Sequence, residues 1–154
     1  MGSEMCIRDS HYIDLMRFLA GSKICSVQAR RIGNVKSVEV HEDKASITLG
    51  FEDGSFGTIL YLANGSNSFP KERIEVFVGG KVLQIDNFIK MRGYGYKDFN
   101  TLNLWKQDKG QLNCTKKFVT SIQNGLSSPI SYQEIIEVAK TSVDVANILK
   151  IQKD

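Results

Sequence analysis

The sequence lacks the cysteine patterns of disulfide-rich or zinc-binding proteins and the long apolar runs of membrane-spanning proteins. It has three cysteines and two prolines in 154 residues, and no cysteine has the Cys-x-x-Cys or Cys/His spacing of a zinc site. These absences argue against a disulfide scaffold and a structural metal, and they fit a reducing compartment. No apolar run approaches the roughly 18 residues that cross a bilayer. We therefore expect a cytoplasmic protein.

Net charge is also small. Twenty basic and 17 acidic residues give +3, with no basic stripe of the kind that binds nucleic-acid phosphates. A hydrophobic content of 42% suffices for one core, so the chain is expected to be one ordinary domain without nucleic-acid or membrane partners.

The first ten residues resemble a translated sequencing adapter, a transposase mosaic end, at every position. They have neither an apolar signal-peptide region nor helical periodicity, so we predict that no helix forms there. Residues 1–10 are therefore expected to be an artefactual or disordered tail, which would include Glu4 and Asp9. The natural polypeptide would then extend upstream of His11.

Beyond residue 10, helical and strand patterns alternate. Apolar residues at helical spacing predict a helix over 11–20 with a buried stripe of Tyr12, Leu15, Met16 and Leu19. Alternation with period two predicts strands over 24–30, 46–51, 74–78 and 82–85. Residues 56–63, which are apolar on both faces, are predicted to form a further strand. Residues 88–109 show neither helical nor strand periodicity, and they are expected to form a long loop that contains at most a short strand.

Two helices are expected to end the chain. The first spans 111–123, and the second begins after a capping box of Ser131 and Glu134. The buried positions of these helices are predicted to be Cys114, Phe118, Val119 and Ile122, then Ile135, Val138, Ala139, Val145, Ala146 and Leu149. Cys25 is predicted to lie in the core with Cys114. The predicted fold class is α+β, an open-faced and largely antiparallel sheet with helices packed on one face.

His11 and Asp14 are the main candidates for chemistry. Three-residue spacing on a helix puts both side chains on one face, where a carboxylate could orient an imidazole that transfers protons near neutral pH. Spacing alone favours a surface histidine and a helix-terminal aspartate instead. The stretch from Gly93 to Tyr96 lacks the third glycine of a dinucleotide loop, so a tight turn with packed tyrosines is expected.

Several longer segments resemble one family. Residues 11–21 and 46–55 look like the C-terminal domain of the Gfo/Idh/MocA oxidoreductases (glucose–fructose oxidoreductase, inositol dehydrogenase and rhizopine catabolism). Residues 69–77, 103–111 and 128–136 extend the resemblance over nearly all of 11–154. The Pro-Lys-Glu-Arg and Trp-Lys-Gln-Asp-Lys-Gly segments resemble a branch that is fused to a zinc-type alcohol dehydrogenase module.

The resemblance implies a function for this domain. In the family, an N-terminal Rossmann domain binds NAD or NADP, while the C-terminal domain shapes the substrate pocket and self-associates through its sheet. The helix-start histidine maps onto His11, with Asp14 as its accompanying carboxylate. Tyr61, Lys71 and Lys109 are candidate substrate contacts. The chain has no glycine-rich dinucleotide motif, so the Rossmann domain is missing and no cofactor is expected for the chain alone.

Two hypotheses follow. The first is a truncated C-terminal substrate-binding domain of an NAD(P)-dependent oxidoreductase that acts on a secondary alcohol of a sugar, cyclitol or nucleotide-sugar, inactive on its own. The second is a stand-alone, non-catalytic binding or assembly module that uses the open sheet face.

Overall fold

A computed structural model describes residues 3–31, 44–62, 65–66 and 68–152. The chain order of its helices and strands is α1 (Ser3–Ala20), β1 (Ile24–Arg31), β2 (Lys44–Phe51), β3 (Phe56–Leu62), β4 (Arg73–Val78), β5 (Lys81–Asp86), β6 (Lys90–Tyr94), β7 (Thr101–Asn103), α2 (Gln111–Gln123) and α3 (Tyr132–Ile151). All strand pairs are antiparallel. The predicted α+β class is confirmed.

The elements form two compact units. The first comprises Met1–Asn64 and Ile130–Asp154, and the second comprises Gly65–Pro129. The strands divide in the same way, into a three-stranded sheet of order β1-β2-β3 and a four-stranded sheet of order β4-β5-β6-β7. The sequence pattern suggests one continuous meander, because periodicity locates strands but does not show which neighbours share hydrogen bonds.

The core of the first unit lies between its sheet and two helices. Strand β2 alternates strictly, with Ala45, Ile47, Leu49 and Phe51 buried. Helices α1 and α3 add their own buried residues to the same cluster, among them Ile13, Val138, Val145 and Leu149. Burying this apolar surface is the main stabilising contribution to the unit.

Both ends of α3 are hydrogen-bonded to strand β1. At its start, Glu137 Oε1 accepts a hydrogen bond from the backbone N–H of Ile24 at 2.5 Å. At its end, Gln152 donates to the carbonyl of Ala29 at 2.6 Å and accepts from the N–H of Arg31 at 3.1 Å. Strand β1 lies at the edge of its sheet, and these hydrogen bonds pair some of the backbone groups that it would otherwise expose.

The second unit is built on tight hairpins. Gly79 and Gly80 both have positive φ in the turn from β4 to β5, a geometry that glycine adopts without strain. Asn87 and Phe88 have positive φ in the next turn. Residues 88–109 contain two strands, β6 and β7, and so are more ordered than the predicted long loop. Their lengths of five and three residues are too short for a clear period-two pattern.

The prediction of a tight turn with packed tyrosines at Gly93–Tyr96 is met only in part. Gly93 and Tyr94 end strand β6, and Tyr96 is half-buried whereas Tyr94 is 51% exposed. A Cβ on Gly93 would lie 2.5 Å from the Phe99 ring, so only hydrogen fits there. Gly95 has φ +78°, and the Tyr96 ring meets Phe99 edge-on at a centroid distance of 6.2 Å. These contacts account for both glycines without a bound phosphate.

Helix α1 differs from its prediction in two ways. It begins at Ser3 rather than His11, because residues 3–10 contain no proline or glycine to end it. Its buried face is centred on Ile13 and Arg17, while Leu19 is about half exposed. Tyr12 and Met16 do pack against the core, as expected. The shift follows from Arg17, whose acidic partners lie on α3 and are invisible in the α1 pattern.

Both cysteine predictions are wrong. Cys25 is exposed because the β1–β2 register shifts between Ile24 and Ser26, and such a bulge turns the following side chain to the other face. Cys114 is exposed together with the stripe predicted to be buried on α2, where only Ser121 is buried. On α3, Val138, Val145 and Leu149 are buried as predicted, but Ile135 and Ala139 are exposed.

The predicted capping box starts α3. Ser131 Oγ accepts a hydrogen bond from the Glu134 N–H at 3.2 Å, and Glu134 Oε2 accepts one from the Ser131 N–H at 3.2 Å. The hydrogen bond that the Ser131 hydroxyl donates is the main cause that lowers the pKa of the Glu134 carboxyl. Stability from this box is therefore present above the carboxyl's ordinary pKa of 4.5 and is lost as the pH falls through the lower, folded value.

Replacing Ser131 with alanine tests the box. We expect Ser131→Ala to cost about 1 kcal/mol of unfolding free energy at neutral pH. The cost should shrink as the pH falls below the ordinary carboxyl value, because a protonated Glu134 no longer gains from the hydroxyl. Urea unfolding of both proteins at neutral and at acidic pH measures this difference, with Ser128→Ala as control. A cost that does not change with pH would contradict the role of Glu134.

Candidate functional site

His11 and Asp14 lie on the face of α1 that points away from the core of its unit. Both are exposed, and Phe18, one turn further on, is 77% exposed. The His11 and Tyr12 rings are 5.3 Å apart between centroids. Within the described part of the chain, no hydrogen bond or ion pair joins the imidazole to the Asp14 carboxylate. The pair is accessible to a ligand and shares one helical face, as the spacing predicts.

A buried ion pair fixes this helix in place. Arg17 Nε donates to Glu137 Oε2 at 3.2 Å, and its Nη2 lies 3.7 Å from Glu134 Oε1. The Arg17 side chain is 10% exposed, and a guanidinium buried this far needs such partners to offset its lost hydration. Arg17 is buried whereas His11 and Asp14 are exposed, so the ion pair holds the helix with those two side chains accessible.

Tyr61 lies on β3 in the first unit, half-buried and paired with Ala45 of β2. Alternation along β3 puts it on the same face as buried Ile59, which is the core-facing side of the sheet. The opposite face of β3 is apolar and open. Phe56, Leu60 and Leu62 are all more than half exposed there, beside Thr48, Thr58 and Ser46 of the same face.

Lys71 and Lys109 belong to the second unit. Lys71 is exposed, whereas the Lys109 ammonium donates to Glu72 Oε1 at 2.8 Å and lies 5.6 Å from the centre of the Phe88 ring. The other Glu72 oxygen, Oε2, is buried, and no described residue hydrogen-bonds to it. Moving Lys109 away would leave a buried carboxylate uncompensated, so this pair firmly links the two lysine-containing segments.

The segment from Trp105 to Gly110, which we call the tryptophan loop, is bonded to the β5–β6 turn. Gln107 Nε2 donates to the Asn87 carbonyl at 2.9 Å, and the Asp108 N–H donates to the Phe88 carbonyl at 3.1 Å. Just before it, the Leu104 N–H donates to Ile89 at 2.8 Å. The tryptophan loop, which contains the one tryptophan of the chain, is therefore bonded to the β5–β6 turn.

The described residues hold neither a metal cluster nor a dinucleotide fold. No group of three or more His, Cys, Asp or Glu side chains among them is placed to hold a metal ion. Their sheets are wholly antiparallel, so this part of the chain offers no parallel strand–helix–strand unit to bind a pyrophosphate. NAD or NADP therefore does not fit this domain by itself.

Among the described residues, none of the helices has the length and apolar character needed to span a membrane.

A protein-family comparison identifies the class to which this architecture belongs. The family model of the C-terminal α/β domain of the Gfo/Idh/MocA oxidoreductases matches residues 7–144. The chain belongs to this family. A search of curated proteins finds no match.

Solved structures show the same fold at low identity. UDP-N-acetylglucosamine 3-dehydrogenase from Acidithiobacillus ferrooxidans superposes with a TM-score of 0.72 at 16% identity, covering 92% of this chain and 45% of that one. An Agrobacterium radiobacter oxidoreductase, solved with NAD+, L-tartaric acid and magnesium, gives 0.69 at 13% identity, covering 94% and 46%. A probable dehydrogenase from Thermotoga maritima gives 0.63 at 20%, covering 94% and 46%. The chain thus spans less than half the length of these three proteins.

Sequence reasoning missed three residues that shape these sites. Arg17 and Glu137 are 120 positions apart, and only the fold pairs them. Glu72 lies within the Pro-Lys-Glu-Arg segment, in which only the cationic Lys71 was a candidate substrate contact. The burial of Arg17 depends on acidic residues of α3, so no local sequence signal could have shown it.

Removing the Glu137 carboxylate should destabilise the first unit. Glu137→Gln breaks the ion pair with Arg17 and weakens the bond to the Ile24 N–H, so we expect a loss of about 2–4 kcal/mol in unfolding free energy. Urea unfolding followed by circular dichroism measures it. Exposed Glu52→Gln is the matched control, for which we expect a change within about 0.5 kcal/mol. Equal effects of the two substitutions would contradict the central role of Glu137.

Proposed function

We propose that the chain is the C-terminal substrate-binding and oligomerisation domain of an NAD(P)-dependent oxidoreductase, delivered as a fragment. The parent would act on a secondary alcohol of a sugar, cyclitol or nucleotide-sugar in the cytoplasm. The observation that carries this proposal is the His11–Asp14 face, held open by the Arg17 ion pair in a domain of this family. One protein of similar fold is UDP-N-acetylglucosamine 3-dehydrogenase, and this supports a nucleotide-sugar as one of the proposed substrate classes.

His11 is assigned the proton chemistry. Oxidising a secondary alcohol releases the hydroxyl proton, and the exposed His11 imidazole is the proposed acceptor. Asp14, one turn along the same face, is the proposed accompanying carboxylate. Tyr61, Lys71 and Lys109 are each proposed as substrate contacts, and the Lys109 ammonium donates to Glu72 Oε1.

The cofactor would be bound outside this chain. Because the described residues do not fit a dinucleotide, NAD or NADP is assigned to a Rossmann domain of the parent protein. The lengths of the similar solved proteins support a parent of about twice this size. The Pro-Lys-Glu-Arg and Trp-Lys-Gln-Asp-Lys-Gly segments further favour the branch fused to a zinc-type alcohol dehydrogenase module.

The genomic DNA upstream of the His11 codon tests this function directly. We expect it to encode a strand–helix–strand unit with a glycine-rich turn, and the 154-residue chain to show no turnover of polyols or sugars with NAD or NADP. In the longer protein, His11→Ala should lower kcat by about 100- to 10,000-fold. A start codon immediately before His11, or turnover by the short chain, would overturn the proposal.

A second candidate is a stand-alone binding or assembly module. The exposed apolar side chains on the outer face of β3 favour it, because contiguous apolar surface of this kind marks protein contacts. In both candidates this face would pair with a second copy of the chain.

Charging the sheet face should prevent that pairing. We expect the native chain to self-associate in sedimentation equilibrium and Leu60→Glu to remain monomeric, since the substitution buries an unpaired carboxylate in any sheet-to-sheet contact. Leu112→Glu, an equally exposed leucine on α2, should leave association unchanged. Dissociation by Leu112→Glu and not by Leu60→Glu would place the interface elsewhere.

A further inference from the structure

Fully buried side chains are distributed very unevenly between the two units. In the described ranges, every fully buried apolar residue belongs to the first unit. These residues are Ile13, Ala45, Ile47, Leu49, Phe51, Ile59, Val138, Val145 and Leu149. In the described part of Gly65–Pro129, Ser121 is the only residue buried to this extent. Because apolar burial supplies most of the free energy of folding, the second unit has far less to offset its conformational entropy.

The apolar face of the four-stranded sheet shows this shortage directly. Strand register places Ile74, Val76, Leu83, Ile85 and Met91 on one face of β4, β5 and β6. All five side chains are only half-buried. Strand β2 of the other sheet, by contrast, buries every second side chain. A unit with so little buried apolar surface is marginally stable.

The two C-terminal helices differ in the same sense. Helix α2 follows Gly110 without a side-chain cap, and it has no acidic residue in its first turn and no basic residue in its last. Helix α3 has its capping box, Glu134 in the first turn and Lys150 in the last. A helix of 13 residues such as α2 is marginal in water unless one face is packed. Helix α2 therefore lacks both the local and the tertiary stabilisation of α3.

Backbone strain is also concentrated in the second unit. Of the described non-glycine residues, those with positive φ are Asn87 and Phe88 in the β5–β6 turn, a costly conformation for a bulky side chain. The Lys109–Glu72 pair and the hydrogen bonds of the tryptophan loop define the conformation of this region. When the whole unit opens, these groups regain bonds to water. They therefore oppose local distortion more than opening of the unit.

We propose that Gly65–Pro129 opens as one cooperative unit while α1, the three-stranded sheet and α3 stay folded. In the open state Glu137 and Gln152 still bond α3 to β1, and Val145 and Leu149 still pack in the core. An unfolded connection between β3 and α3 destabilises the first unit little, because loop-closure entropy grows slowly with loop length. The second unit is thus a conditionally folded insertion, a subglobal opening of the kind that many proteins undergo.

Native-state hydrogen exchange of the whole chain measures the two openings separately. With mass spectrometry of peptides at low urea concentration, we expect amides of β5, β6 and α2 to exchange about 100-fold faster than those of β2 and α3. Equal protection with one urea dependence would show a single transition and overturn the proposal. Fast exchange confined to α2, with β5 and β6 protected like β2, would also overturn it, because the helix would then fray by itself.

Limited proteolysis gives a matched pair of cleavage sites. Lys117 lies in the interior of α2 and Lys140 in the interior of α3, and both are exposed. Since cleavage tracks the population of the open form, we expect trypsin to cut after Lys117 about 100-fold faster than after Lys140. The fragment that contains α3 should then stay bound to the N-terminal fragment in size-exclusion chromatography. Equal cleavage rates, or fragments that separate, would contradict the proposal.

Matched substitutions test whether each unit opens by itself. We expect Ile85→Val to speed exchange in β5, β6 and α2 by about two- to fivefold and to leave β2 and α3 unchanged. Ile47→Val should do the reverse, since Ile47 lies in the core of the first unit. Both substitutions remove one methylene group, so the chain is expected to fold in each case. Faster exchange of both units in either variant would show that they unfold together and would refute the independent opening.

Discussion

The Glu137 carboxylate accepts hydrogen bonds from two elements at once, the Arg17 guanidinium of α1 and the Ile24 N–H of β1. It therefore fixes three neighbours, α1, α3 and the first strand, at a single point. Because charges this poorly hydrated are costly unless paired, each partner keeps the others in place. The apolar core around Ile47 and Leu49 supplies most of the stabilisation, but it is non-directional. The ion pair, together with Ile13, fixes the buried side of α1, and His11 and Asp14 are left exposed.

The second unit holds its tryptophan loop in place with several hydrogen bonds and one ion pair. The loop buries little apolar surface, and its conformation is fixed by the Lys109–Glu72 pair and several backbone bonds. A loop held in this way has a defined conformation without being part of a core.

Local patterns predicted most of the elements. Strand β2 and the α3 capping box depend on residues close in sequence, and both were found where the pattern indicates. Failures arose where distant residues decide the outcome. The β1 bulge at Cys25 depends on pairing with Gly50 and Phe51, and the burial of Arg17 depends on α3. Helical spacing made His11 and Asp14 candidates and the family resemblance gave them a role, whereas the exposure of Trp105 is a property of the folded chain alone.

In the first unit, the buried core and the exposed surface lie on different sides of the same elements. On α1, Ile13 and Arg17 face the core, while His11, Asp14 and Phe18 face outwards. On β3, Ile59 is buried, while Leu60 and Leu62 are exposed. Substitutions on an outward face cost little folding energy, so these faces can vary while the core is retained. A domain built this way can keep its core pattern at low sequence identity.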